Sequence, residues 1–448
     1  MAKEGKIHLV KYAPPPPDLP VYQHVDPREI SFIGRTNYEA PLESKKYIFG
    51  IKRIDRSRHI YIVGKAGAGK SKLLELFMRQ DIAYGHGLCF IDPHGDTINS
   101  ILDFIPDKRR DDIVLVDPTD AKSPISFNPL RNVPDEMKAQ VVQGITEIIQ
   151  RVFGSDWSSR HEHVFRYTLF ALLDYPEATL HGMIEILTDD QYRARVVPYI
   201  TDGLVRRFFE VEFDEWARKF ETDAILPLVN KIGHILSVPM LRNILSQKEN
   251  RINIDACMAE KKIVLINLAK RKIGDENARF FGSLFINRIR FAGVTRADMP
   301  QQARPDFYLY IDEFQNLATP SFVALFSEAR EYGINLTVAH QYTAQLAPDV
   351  LAAVLGNASH IIIFRVGGED AVKLEPEMAP VFRAKDMINL GTREFYIKET
   401  IDGETYDPFS AETLTVLPPP HPSLREQIME QSRKKYGVGE AKRDATAS

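Results

Sequence analysis

Short apolar runs alternate with amphipathic stretches in two separated parts of the chain. In the first part, runs at 59–63, 88–91 and 113–116 read as strands, and the stretches at 70–84 and 97–104 read as helices. Between 134 and 250 the strand pattern stops. Met137–Phe153 places Val141, Ile145, Ile148, Ile149 and Val152 on one helical face. Val164–Leu173, Leu180–Ile186, Gln191–Ile200 and Phe220–Leu236 continue as helices. Strand text resumes at Ile263–Leu268, followed by a helix over 276–292 and a strand at Phe307–Ile311. A helix over 320–332, a strand at Ile334–Val338, a helix over 347–355 and a strand at Ile361–Phe364 follow. Asp402-Gly403 then predicts a hairpin between Glu394–Thr400 and Glu404–Tyr406.

This order predicts an α/β protein with a mainly parallel sheet, interrupted by an all-α insertion. The expected units are a Pro-rich tail (1–28), a sheet domain in two pieces (29–133 and 251–420), the insertion (134–250) and a charged tail (421–448) that reads as solvated or as a short helix. Pro14–Pro17 form a stiff segment without a core pattern, best read as a spacer. Residues 30–58 carry short extended pieces at Ile30–Ile33 and Tyr47–Ile51, and Pro418–Pro422 end the fold.

At 448 residues the chain holds two or three domains, and 44% hydrophobic with 26% charged residues is ordinary for a globular protein. A net charge of −4 means that any contact with nucleic acid needs a local basic surface. The two cysteines, Cys89 and Cys257, have neither disulfide nor metal spacing, as in a reducing compartment. No apolar run reaches the roughly 20 residues of a membrane span, and no signal peptide is evident.

The chemistry begins where strand 59–63 ends. Gly64-Lys65-Ala66-Gly67-Ala68-Gly69-Lys70-Ser71 is the G-x-x-x-x-G-K-[ST] phosphate-binding loop. Its glycines let backbone N–H groups curl toward phosphate oxygens, Lys70 supplies a cation and the Ser71 hydroxyl suits Mg²⁺. Phe307–Ile311 ends in Asp312-Glu313. Asp312 is expected to hold the Mg²⁺ hydration shell, and Glu313 to polarise the attacking water. Gln341, after the next strand, is placed to reach the γ-phosphate, whereas neighbouring His340 reads as structural.

Other residues stay open. Asp92-Pro93-His94-Gly95-Asp96 reads equally as a ligand-binding strand end or as a turn with Asp96 capping helix 97–104. Arg330, eleven residues into its helix, lies about 16 Å along the axis, at the rim away from its own nucleotide. It reads equally as a finger for a neighbouring subunit or as an ion pair with Glu328 or Glu331. Lys270-Arg271-Lys272 is the densest basic cluster, more simply a solvated loop than a pore lining. Arg288 and Arg290 read as structural, Trp157 as core, and His161 and His163 do not share a helix face.

Together these motifs resemble the HerA–FtsK class of P-loop ATPases. More closely they resemble the coupling-protein ATPases of conjugation and type IV secretion, the TraG/TraD-like group. The resemblance covers about 30–420. It rests on Ile33-Gly34-Arg35, Phe49-Gly50-Ile51-Lys52, Gly64–Ser71, the Asp92–Asp96 block, the insertion, Asp312-Glu313-Phe314-Gln315-Asn316, Arg330 with Tyr332-Gly333, and Gln341. It implies a RecA-like core, ATP and Mg²⁺ as ligands, a hexameric ring with Arg330 acting in trans, and DNA in the channel. DNA-stimulated hydrolysis is then expected, with relaxase or secretion-channel proteins as candidate partners. Membrane-anchored members begin with transmembrane helices, which this chain lacks, so a cytoplasmic protein docked at the inner membrane through partners is expected. The alternatives are a HerA-like repair translocase and an ATP-dependent assembly factor that binds protein partners.

Overall fold

The computed structural model describes residues 10–39, 46–120 and 123–438. Thirteen strands follow one another: β1 Ile30–Thr36, β2 Ile48–Lys52, β3 Ile60–Val63, β4 Gly87–Asp92, β5 Ile113–Val116, β6 Ile263–Asn267, β7 Phe307–Ile311, β8 Ile334–His340, β9 His360–Ile363, β10 Glu394–Lys398, β11 Thr400–Ile401, β12 Glu404–Thr405 and β13 Phe409–Thr413. Eleven form one sheet in the order β2-β1-β13-β10-β9-β3-β8-β7-β4-β6-β5. From β9 to β5 every pairing is parallel, and from β9 to β2 every pairing is antiparallel.

The parallel strands are apolar without alternation because helices cover both faces. Ile60, Ile62, Phe90, Leu265 and Tyr310 pack with helices 70–83 and 96–104. Tyr61, Val63, Ile91, Leu309 and Val338 pack on the other face with helices 138–153 and 275–295. The helical stretch between β5 and β6 therefore shares a continuous apolar core with the sheet. Gly144 permits the approach of helix 138–153: a Cβ there would meet the Asn287 amide at 2.3 Å.

Several expectations change. The described part of the Pro-rich tail is no loose spacer: Ala13, Leu19 and Val21 are buried, and Tyr22 N–H donates to Ile48 O at 2.9 Å. This segment covers edge strand β2. At the opposite edge, the described part of the charged tail forms helix Arg425–Tyr436, with Ile428 fully buried. Its Ser432 Oγ accepts the outward N–H of Leu115 at 3.0 Å, so both sheet edges are shielded from further pairing. Residues 1–9 and 439–448 of the two expected tails lie outside the described residues.

The Asp402-Gly403 hairpin joins only β11 and β12, while β10 enters the main sheet between β9 and β13. Helices Gly203–Arg207 and Phe213–Phe220 lie in the part of 134–250 that was read as helical without bounds of their own. The π-helical stretches Phe208–Glu212 and Glu221–Ile225 follow them and shift the phase of the apolar face. Among the described residues no single helix is long and apolar enough to cross a membrane.

Candidate active site

Parallel pairing decides the geometry. Val63 of β3 lies beside His340 of β8, and Val338 of β8 beside Ile311 of β7. The residues that follow these strands, Gly64–Ser71, Gln341 and Asp312-Glu313, therefore share the carboxyl rim, where open α/β sheets bind ligands.

The loop from Gly64 to Ser71 turns through Gly67 (φ +73°) and Gly69 (φ +128°). The Gly69 conformation is one that side chains avoid, which explains glycine before Lys70. Lys65 N–H donates to Arg365 O at 2.8 Å and Ala68 N–H to Lys65 O at 3.2 Å, so these two N–H groups brace the loop itself. Gly64 N–H likewise donates to His340 O at 3.3 Å, while Ala66, Gly67 and Gly69 lead into the start of helix 70–83, where N–H groups favour anions. The Lys70 ammonium donates to Gly64 O at 2.6 Å and Lys65 O at 3.1 Å. Burial lowers its pKa against the pull of Asp312 and Glu313.

Ser71 Oγ donates to Asp312 Oδ2 at 2.8 Å. Burial and, less strongly, the nearby Asp92 charge raise the Asp312 carboxyl above its usual range. A hydroxyl and a carboxylate this close are hard oxygen ligands of the kind that Mg²⁺ takes, so the residues fit that ion.

Glu313 sits in the left-handed region at φ +48°, an uncommon place for a residue with a side chain. Four side chains surround its carboxylate. Gln341 Nε2 donates to Oε1 at 3.0 Å, and His94 Nε2 lies 3.4 Å from the same oxygen. Asn316 Nδ2 reaches Oε2 at 3.4 Å, and the Lys270 ammonium is 3.8 Å from it. Gln341 was expected here; His94, Asn316 and Lys270 were not assigned to Glu313. Lys270 belongs to the basic cluster after β6, which forms the short helix Lys270–Ile273.

The block after β4 also differs from expectation. Asp92, not Asp96, does the capping: it accepts N–H from His94 at 2.9 Å, Thr97 at 3.0 Å and Ile98 at 3.2 Å. Asp96 is already the first residue of the helix, and Gly95 precedes it without a side-chain cap. His340 is fully buried and bonds Tyr61 Oη at 2.5 Å.

Arg330 is not brought to this rim. Helix Pro320–Glu328 ends before it, and Arg330 lies in the turn that leads into β8. Gly333 N–H donates to its carbonyl, and Gly333 O in turn accepts from Phe307 at the start of β7. The seven residues of β8 put Arg330 about 23 Å, at roughly 3.3 Å per residue, from Gln341. Its side chain is exposed. The expected ion pair is absent among the described residues: Glu328 pairs instead with Arg290 at 3.6 Å, and Glu331 offers its carbonyl to Arg304.

Comparison with known proteins bears on the fold and the family. No curated protein sequence matches the chain. Solved structures do. The bacterial conjugative coupling protein TrwBΔN70 superposes with a TM-score of 0.61 at 14% identity, over 83% of this chain and 88% of that one. TrwB in complex with ADP and Mg²⁺ gives 0.60 at 15%, over 84% and 89%. VirB4 of Thermoanaerobacter pseudethanolicus gives 0.54 at 15%, over 80% and 89%. These similarities establish the shared α/β P-loop fold. The family model described as the type IV secretion-system coupling protein DNA-binding domain matches residues 50–375. The chain belongs to the family of type IV secretion-system coupling proteins.

Proposed function

We propose that the chain is an ATP-hydrolysing motor that moves DNA and works as a homo-oligomeric ring, a hexamer by analogy with its class. The observation that carries this reading is the meeting of Lys70, Ser71, Asp312, Glu313 and Gln341 on one rim while Arg330 stands exposed on the other.

In this mechanism the loop Gly64–Lys70 holds the β- and γ-phosphates, with the Lys70 ammonium leaving its loop carbonyls for phosphate oxygens. Ser71 and Asp312 would hold Mg²⁺, which would supply positive charge to neutralise the phosphates. Glu313 orients a water for in-line attack on the γ-phosphorus and accepts its proton; the bond to the β-phosphate oxygen breaks, leaving ADP and phosphate. Gln341 bridges Glu313 and the γ-phosphate position, so departure of phosphate is felt by β8 and by the turn holding Arg330 at its other end. Arg330 serves the site of the adjacent subunit as an arginine finger.

TrwB, similar in fold, is described as a plasmid coupling protein bound to ADP and Mg²⁺, which supports the same ligands here. Family membership supports DNA as partner. Relaxase and secretion-channel proteins, and a cytoplasmic place beside the inner membrane, follow as candidates from that membership. The test is the rate of ATP hydrolysis with and without DNA. Stimulation of tenfold or more, about the size of a modest catalytic effect, is expected. Equal rates would favour a nucleotide-dependent assembly factor.

A further inference from the structure

A cavity of about 320 Å³ opens between helices 138–153, 226–237 and 275–295, lined among others by Arg151, Lys231, Asp275, Glu276, Arg279 and Ser283. It is separate from Gly64–Ser71, and its size is at the lower end of ligand sites, roughly 300–1,000 Å³. Its charges are unbalanced, with three cations against two acids. One of the acids, Asp275, already faces the Lys270 ammonium at 3.5 Å. Among the described residues, Arg151, Lys231 and Arg279 have no carboxylate within 4.0 Å. Partial loss of solvent and the charge of Arg279 both depress the Arg151 guanidinium from its ordinary value. Arg151 and Arg279 are both exposed, so water screens much of their repulsion; what they offer an anion is two guanidinium groups without a carboxylate at one cavity.

The cavity wall is tied to the catalytic glutamate by two routes. Arg151 donates to Ala318 O at 3.0 Å and to Gln315 O at 3.2 Å, across the loop that follows Glu313. One turn earlier on the same helix, Glu147 accepts from Ser321 N at 3.0 Å and Ser321 Oγ at 2.6 Å. Helix 138–153 thus grips both ends of this loop, whose Asn316 reaches Glu313. On the second route, Lys270 bridges Asp275 and Glu313.

We propose that this cavity receives a phosphate of the DNA backbone and that its occupancy repositions Glu313 through Arg151 and Lys270. The inference rests on the DNA-handling reading above. A phosphate between Arg151 and Arg279 takes a forked pair of N–H donors from each. It relieves their mutual repulsion and draws Arg151 off the carbonyls of Gln315 and Ala318. The loop is then free to re-aim Glu313. Arg151 is a positioning residue, since it touches Glu313 only through this loop.

The experiment measures binding of a fluorescent DNA oligonucleotide across salt concentrations, together with ATP turnover, for the full chain. Lys231→Glu with Arg279→Glu should weaken DNA binding at least tenfold and flatten the salt dependence by about one phosphate contact. Arg151→Lys keeps the cation but loses the fork. It should bind DNA within a few-fold of the parent, keep KM for ATP, and lose DNA stimulation of kcat. Competition by inorganic phosphate separates sources: displacement of DNA only by a second oligonucleotide supports the backbone, while equal displacement by millimolar phosphate overturns it. Unchanged DNA affinity and salt slope in the double variant overturn the site, and full stimulation of Arg151→Lys overturns the relay. If the parent hydrolyses ATP but binds no DNA, both the motor reading and this inference fail; if only the variants behave like the parent, the motor reading stands and this inference alone falls.

Discussion

At the scale of single residues, two buried charge arrangements do opposite jobs. On the carboxyl rim, Lys70 holds loop carbonyls and Asp312 the Ser71 hydroxyl, partners that a charged ligand would replace. In the interior, Asp81 closes its set: Arg56 approaches at 2.8 Å and Arg53 at 2.5 Å, and Tyr310 donates to the remaining oxygen. Burial works to raise the Asp81 carboxyl, and Arg56 and Arg53 overcome it, holding it below the usual range. Asp81→Ala would strand two buried guanidinium groups. It should cost roughly 3–5 kcal/mol, read as a lowered denaturation midpoint, whereas Arg330→Ala, at an exposed turn, should leave stability within about 0.5 kcal/mol. The rim residues Gly64–Ser71, Asp312-Glu313 and Gln341 were legible because each follows an apolar strand. His94 and Lys270 were not, because they reach Glu313 from separate loops, and Asn316 was not, because its reach depends on the left-handed turn at Glu313.

At the scale of elements, the parallel strands could be read from apolar runs and the helices around them from their spacing. The antiparallel wing was half legible: β1 and β2 showed as short extended pieces, but β13 has no turn signal that pairs it with β10. The N-terminal tail misled, and the C-terminal one, read as solvated or a short helix, gave no sign that it packs on the sheet, for a common reason. A proline run and a charged helix carry few apolar residues, yet those few, Leu19, Val21 and Ile428, are the ones buried at the sheet edges. Ile428→Ala should therefore cost about 2–5 kcal/mol, measured by denaturant unfolding. Because it also loosens the helix that satisfies Leu115 N–H, it should promote aggregation through β5. A variant as stable and as monodisperse as the parent would mean that this helix does not seal the edge. Arg330 was read as part of a helix; the chain instead leaves helical geometry after Glu328 and turns through Gly333 (φ +68°).

At the scale of the whole molecule, the site is divided between rims, and this division predicts how subunits cooperate. On the proposed reading, Lys70→Ala should disable a subunit's own site and Arg330→Ala its neighbour's. Either variant alone should be inactive, while mixtures should recover part of the turnover, because some interfaces join an intact Lys70 to an intact Arg330. No recovery at any ratio would contradict action in trans. Among the described residues, His59, His340 and His360 are buried and His86 is half-buried. Burial lowers His59, His86 and His360 from 6.5 to about 4, and His340 to about 3. Their folded pKa lies below the unfolded one, so the stabilising contribution is complete above about pH 6.5 and is lost as pH falls towards 4. Tm should be nearly level above about pH 7 and fall steeply between about 6.5 and 4. His360→Gln should make that fall shallower in scanning calorimetry, and an unchanged slope would remove His360 from the account.

The central claim is that Gly64–Ser71 grips a triphosphate which Glu313 helps to cut. The most direct test is Glu313→Gln, assayed for ATP affinity and for turnover in the same preparation. The account predicts ATP affinity within a few-fold of the parent and turnover reduced by about 10²–10⁴. Turnover equal to that of the parent would contradict it.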